Sequence, residues 1–443
     1  MDAYTGCVDE ALIARLQMGG SLAFHIVFAA IGVGMPLLMV LAEGCWLRTK
    51  DPVYRDLARA WAKGTAVLFA VGAVSGTVLS FELGLLFPEF MRVAGPLIGP
   101  GFTLEGVAFF TEAIFLGMYL YGWDRLEPRL HLAAGVVVAL SGMASAALVT
   151  LVNAWMQHPV GFEAYTPEDG FSGIDPLAAL ASPYALHELP HSILGYYLAT
   201  GFAVAAVHAW ALRKTPESQF HRRALVLALA VAAPSALLTP PLGHFAGQRV
   251  AALQPAKLAA FEGHYETARG VGLKLGGIPD HDAAETRWAL ELPYALSFLA
   301  TDDVDGEVKG LLDFPRDEWP PESVHYAFQL MVGLGSLLAL LGGWGLVWIW
   351  RSRASRAPPG PWLRRALIAA GPGAFVALEA GWIAAEVGRQ PWTIYGLVRT
   401  ADAVTPVRGL WIACLAFGLL YVGLAVAVAA ALRWIVAQRA EAP

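Results

Sequence analysis

The stretch GWIAAEVGRQPW, residues 381–392, decides the reading of this chain. It closes an apolar run and carries Glu386 where an outward-going membrane helix would end. Glu379 lies seven residues earlier, two turns away on the same helical face. Ionisable groups at membrane depth are costly and point to function. Arg389, Gln390, Pro391 and Trp392 then stop the helix. Alone, these residues also fit a plain helix end with an interfacial Trp and Arg, so the rest of the chain must choose.

The 443 residues are 57% hydrophobic and 15% charged, with mean hydropathy +0.53, which is the composition of a polytopic membrane protein. A net charge of −6 argues against nucleic acid as a partner. Cys7, Cys45 and Cys414 form no CxxC, CxxCH or zinc pattern, so any haem would be held by side-chain ligands alone. The acidic start, MDAYTGCVDE, lacks the basic region of a signal peptide.

Nine apolar segments are long enough to span a bilayer: 14–46, 56–82, 97–122, 130–156, 184–212, 223–245, 325–350, 364–388 and 408–435. The expected fold is thus an all-α integral membrane protein, a single polytopic domain over 1–443. With the N-terminus outside, 18 of the 30 basic residues fall on the inner side, among them Arg48, Lys50, Arg213, Lys214, Arg351, Arg356 and Arg439. Seven of the remainder sit in one long outer loop, 246–323, leaving five in short outer regions. This predicts an outer N-terminus and a cytoplasmic C-terminus. The loop holds 14 acidic against 7 basic residues. It opens with QPAKLAAFEGHYE (254–266), where Lys257, Ala260, Phe261 and His264 share helical spacing. That predicts an amphipathic helix lying at the outer surface. A solvated helix with incidental charges fits the same pattern.

Several ionisable residues lie inside the spans. His25 sits in the first, where a packed histidine and a haem or proton role compete. Glu105 and Glu112, seven apart in the third span, project from one face; two buried carboxylates so placed suit a proton relay. His187 and His191 open the fifth span four residues apart, but Pro190 between them argues against a zinc pair. Met331 opens the seventh span, a position usually given to packing. Asn153, Trp155 and Gln157 at the outer end of the fourth span read most simply as satisfying backbone or interfacial water. By depth, at about 1.5 Å per residue, His25, Glu105, His191, Met331 and Glu386 fall in or near the outer half of the bilayer, with Glu112 deeper. Possible metal ligands near one face, with carboxylates leading inward, describe redox chemistry fed with protons from the far side.

Taken together, ARLQ (14–17), His25, FTLEG…FFTE, YGWDRL (121–126), NAWMQHPVG, His191, QPAKLAAFE, FQLMVGLG and GWIAAEVGRQPW resemble subunit I of the cytochrome bd quinol oxidases, over all nine spans. The resemblance implies His191 and Met331 as axial ligands of a low-spin haem b, a pair that raises the potential. It implies His25 and Glu386 as ligands of the two members of a high-spin pair, haem b and haem d (or a third haem b). Glu105 would serve as a ligand or proton-transfer group, and Glu112 would belong to the proton path. Trp382 would pack against the pair, and Arg389 would meet haem propionates. Lys257 and Glu262 would form the site of quinol, making 246–323 a quinol-binding loop of the short kind. The implied partners are subunit II and a small single-span subunit, with O2 reduced to water in a bacterial cytoplasmic (inner) membrane, generating proton motive force. Two departures stand out. The third-span carboxylates are seven apart rather than eight, and Gln329 replaces an arginine that some members carry two residues before the axial Met. A proton-coupled transporter, or a haem-bearing electron carrier or sensor that reduces no oxygen, would use the same residue types.

Overall fold

The apolar runs become long helices because a backbone inside lipid must satisfy its own hydrogen bonds, and a helix does so within one segment. In a computed structural model describing residues 10–355 and 357–440, nine helices are long and apolar enough to cross a membrane. They are α1 (Glu10–Thr49), α2 (Pro52–Leu86), α3 (Pro88–Tyr121), α4 (Pro128–Gln157), α6 (Ala185–Ala211), α7 (Gln219–Leu253), α10 (Ser323–Ser355), α11 (Pro361–Val387) and α13 (Leu410–Ala440). Four short helices lie between them: α5 (Pro176–Leu180), α8 (Pro255–Glu262), α9 (Ala295–Thr301) and α12 (Thr400–Ala403). The acidic N-terminal segment, Cys7 and Arg356 lie outside the described residues, as do the side chains of Arg353 and Arg439.

Every expected span is present, and most run further than their apolar cores. The extra turns come from capping residues that hydropathy does not count. Asp51 caps α2, its Oδ1 accepting from the Val53 amide at 3.1 Å, with Pro52 in the first turn. Ser218 caps α7 through the His221 amide at 3.3 Å. The α7 helix also continues past Pro240 and Pro241 to Leu253, taking in the first residues assigned to the outer loop.

The described residues fall into two compact units. One comprises residues up to 149, 162–176 and 400–440; the other comprises 150–161 and 177–399. In the second, Phe202, Ala205, Leu225, Ala228, Leu229 and Leu367 form a core with no exposed surface. Small residues let the backbones close. A Cβ on Gly201 would come 2.7 Å from the Ala232 Cβ, and one on Gly371 would come 2.7 Å from that of Ala206.

The loop after α7 is an arm of nested antiparallel pairs. Ala268–Arg269 pairs with Glu307–Val308, Leu273–Leu275 with Leu290–Leu292, and Ile278–Asp280 with Glu285–Arg287. Asp280 turns the tip, its Oδ1 accepting from the amides of Asp282 and Ala283. This arm corrects the expectation for its first helix. The α8 helix does not lie at the surface: every residue from Ala256 to Glu262 is buried. Leu258 and Phe261 pack with Tyr184, Val250, Leu296 and Val308, while Ala259 and Ala260 pack with Tyr265 and Leu311. His264 also leaves the expected helical face, because Gly263 ends the helix in the left-handed region at φ 57°. Folding the arm back over α8 buries the face that local spacing left for water.

Candidate functional site

The second unit contains a buried lysine. Lys257 is 2% exposed, and its Nζ donates to Gln157 Oε1 at 2.9 Å and to the Tyr184 hydroxyl at 3.3 Å. The rings of Tyr184 and Phe261 lie 5.6 and 6.0 Å from the ammonium. Burial lowers the pKa of this lysine, and the Arg389 guanidinium lowers it further; Glu386 and Glu188 oppose both. The result is a cation held in a mostly apolar pocket, able to donate hydrogen bonds and easily deprotonated.

From Gln157 the hydrogen bonds continue. Its Nε2 donates to Asn153 Oδ1 and to the Ala385 carbonyl, each at 3.3 Å. Asn153 Nδ2 donates to Glu386 Oε1 at 2.7 Å, and Arg389 Nη2 donates to Glu386 Oε2 at 2.6 Å. Gln254, just before α8, donates from Nε2 to the Gln157 carbonyl at 2.6 Å and to Gln157 Oε1 at 3.2 Å. Arg389 is 4% exposed, and its Nε and Nη1 have no protein partner among the described residues. A buried guanidinium with two free donors is a site for a further carboxylate.

Glu262 has separate company. It is 4% exposed, and burial pushes its carboxyl up to about 8, with Lys274 opposing. Its neighbour Lys274 donates to the Gly263 carbonyl at 2.9 Å, and burial lowers its pKa. Burial and Lys274 likewise lower that of His264. The charged groups acting on Lys257 and on Glu262 do not overlap. The two residues the resemblance puts in one site thus have different surroundings, since five residues of helix rotate a side chain about 140°.

Of the candidate haem ligands in this unit, Glu386 already accepts two hydrogen bonds, while His191 and Met331 lie beside glycines. His191 Nδ1 is buried with no partner among the described residues, and a Cβ on Gly243 would lie 3.7 Å from its Cε1. A Cβ on Gly381 would lie 3.0 Å from Met331 Sδ, so only glycine lets the thioether approach α11. An imidazole, a thioether and a half-free buried arginine form a donor set that fits a haem with its propionates. Trp382, one turn before Glu386, shares a hydrogen bond with the Tyr196 hydroxyl. Gln329 serves the loop arm instead: its Nε2 donates to the Lys274 carbonyl at 2.9 Å, and its Oε1 accepts from the Gly276 amide at 3.3 Å.

In the first unit, His25 Nδ1 lies 2.9 Å from Ser75 Oγ, which leaves Nε2 to act as a ligand. A Cβ on Gly76 would lie 3.0 Å from the His25 Cε1, so small residues line the ring. Glu105 and Glu112 both turn toward α4. Ser145 Oγ donates to Glu105 Oε1 at 2.8 Å, and a Cβ on Gly142 would lie 3.1 Å from the Glu112 carboxyl. Glu112 is 5% exposed. Seven-residue spacing has kept both on one face.

Sequence reasoning undervalued Gln157 and Asn153 and passed over Tyr184 and Glu188. Asn153 and Gln157 were visible as an i, i+4 polar pair ending an apolar span. What they bond to, up to 233 residues away, was not. Glu188 is 8% exposed, and neither of its oxygens has a hydrogen-bond partner among the described residues. It shares the start of α6 with His187, whose ring meets that of Tyr184 at 4.2 Å.

Known proteins share this sequence and fold. Residues 13–440 match the family model of the cytochrome bd terminal oxidase subunit I. A Bacillus subtilis (strain 168) protein, provisionally named a cytochrome bd menaquinol oxidase subunit I, is 40% identical over 95% of each chain. Subunit 1 of a cytochrome bd ubiquinol oxidase from the same organism is 32% identical, covering 94% of this chain and 91% of its own. A solved structure of the bd oxidase from Geobacillus thermodenitrificans superimposes with a TM-score of 0.90 at 39% identity, over 97% of this chain and 99% of that one.

Proposed function

The chain belongs to the family of subunit I of the cytochrome bd terminal oxidases, a membrane quinol oxidase, and on that premise we propose that it oxidises quinol beside α8 and supports the reduction of O2 to water. The family implies haem cofactors, quinol as substrate and a second subunit. The observation that carries the reading is Lys257, a buried donor in an aromatic and amide cage at the start of the quinol loop. A quinol head-group offers two hydroxyls to such a site. Lys257 orients one oxygen, and Glu262, which titrates at about 8, passes on a proton.

Haems supply the one-electron chemistry and oxygen reduction when bound. His191 and Met331 would hold a low-spin haem b. His25 and Glu386 would each hold a high-spin haem, b or d, Trp382 would pack against the pair, and Arg389 would neutralise a propionate. Glu105 and Glu112 deliver protons from the inner side. With the N-terminus outside and the C-terminus in the cytoplasm of a bacterial cell, quinol protons leave outward while those for water enter from within, so charge separates across the inner membrane. A small single-span subunit completes the assembly.

Replacement of Lys257 by Met in the assembled oxidase should raise the quinol KM about tenfold or more while every haem stays in place, because a hydrogen bond to a charged group is worth roughly 1.5–3 kcal/mol. Loss of haem in its place would assign Lys257 a structural role, and an unchanged KM would remove it from the quinol site.

A further inference from the structure

We propose that Gln157 and Asn153 are positioning residues, forming a directional amide relay that ties the hydrogen-bonding state of Lys257 to the orientation of Glu386. This rests on the reading that Lys257 meets quinol and Glu386 holds a haem iron.

The direction of the relay follows from chemistry. The Lys257 ammonium only donates, so the atom of Gln157 facing Nζ at 2.9 Å is the amide oxygen, and Gln254 Nε2, which also donates to the Gln157 carbonyl, faces the same oxygen. A backbone carbonyl only accepts, so the atom facing Ala385 is the amide nitrogen. Those two contacts set the Gln157 amide from opposite sides. Its nitrogen then requires an acceptor on Asn153, which turns Asn153 Oδ1 toward Gln157 and Nδ2 toward Glu386. Glu386 must therefore accept at Oε1, with Arg389 filling Oε2. Each link has its polarity dictated by the one before it.

Gln157 is also the hub of the arrangement. It has no exposed surface, and both side-chain polar atoms make two hydrogen bonds. A buried amide with every bond made cannot change one contact without disturbing another. When Nζ turns to a quinol oxygen, Gln157 Oε1 loses its charged donor and keeps only Gln254 at 3.2 Å. The amide relaxes, and the strain passes through Asn153 to the carboxylate of Glu386. Occupation of the quinol site is thereby felt at the haem ligand without movement of a helix.

The test uses the complete oxidase, purified with its partner subunits, and an unreactive quinone analogue that competes with quinol. Two quantities are read: the quinol KM, and the change in the high-spin haem spectrum when the analogue binds. Wild type should show a spectral change. Gln157→Leu should abolish it and raise KM at least about fivefold, with haem content unchanged. Asn153→Leu should abolish the spectral change and leave KM within about twofold, because it breaks the relay beyond Lys257. A purely structural role would move both quantities together in both variants, or lose haem. A spectral change that persists in Gln157→Leu overturns the relay. Lys257→Met separates the premises: if it leaves KM unaltered, the quinol assignment fails; if it raises KM while Gln157→Leu does not, the relay alone fails.

Discussion

Glu262 is held by its surroundings in the protonated form. Burial lifts its carboxyl to about 8 from an ordinary 4.5, so the folded loop keeps a proton that the unfolded chain has released. The resulting stability is fully present below the ordinary value and is lost as pH rises through the raised one. Protection of the amides of residues 256–262 against hydrogen exchange, taken relative to the intrinsic rate at each pH, should therefore fall between about pH 5 and pH 8 in the assembled enzyme. Glu262→Gln should flatten that dependence, and an unchanged pH profile would show that Glu262 does not control it. For the ligands, His191→Ala or Met331→Leu should each remove the low-spin haem signal and stop quinol oxidation. His187→Ala should keep the signal. The three are separable by reduced-minus-oxidised spectra.

Helix contacts in this chain depend on what is missing from them. Gly201 lets α6 meet the backbone of α7 at Ala232, and neither helix can yield easily because a Cβ there would also come 2.9 Å from a backbone nitrogen. Gly201→Leu should cost about 1–3 kcal/mol by overpacking, read as a lower midpoint in thermal unfolding of the detergent-solubilised complex. On α3, seven-residue spacing alone keeps Glu105 and Glu112 turned toward α4, where Gly142 leaves room for the inner carboxyl. Glu112→Gln should slow oxygen reduction severalfold while quinol still reduces the low-spin haem in a stopped-flow experiment. Full-rate turnover by that variant would take Glu112 off the proton path.

At the scale of the whole molecule, direction matters more than any single contact. If protons for water enter from the cytoplasm and quinol releases its own outside, turnover separates charge without a pump. Proteoliposomes with the cytoplasmic face inward should become alkaline inside and develop a potential positive outside when quinol is added. Turnover without a potential would overturn the orientation of both half-reactions. The α13 helix carries Leu415, Leu419, Val422 and Val426 on its exposed surface, an apolar face that lipid or the family's second subunit would cover. Coexpression with that subunit should raise haem occupancy several-fold over the chain expressed alone, by pyridine haemochrome analysis.

The nine spans and the face shared by Glu105 and Glu112 were legible in the sequence, whereas the ligand roles of His25, His191, Met331 and Glu386 came only with the family resemblance. Lipid imposes length and helical period on a chain, and both are local properties. The resemblance marked Lys257 and Glu262 as quinol residues, and local spacing laid their helix on the surface. Only the tertiary structure buries that helix under a folded arm, separates the two residues into different surroundings, and makes Gln157 the link from Lys257 to Glu386. The hydrogen bonds that Gln157 makes to Lys257 and to Ala385 join residues far apart in the chain and leave no periodic trace in it. Which donor meets which acceptor is decided by packing after the helices have formed.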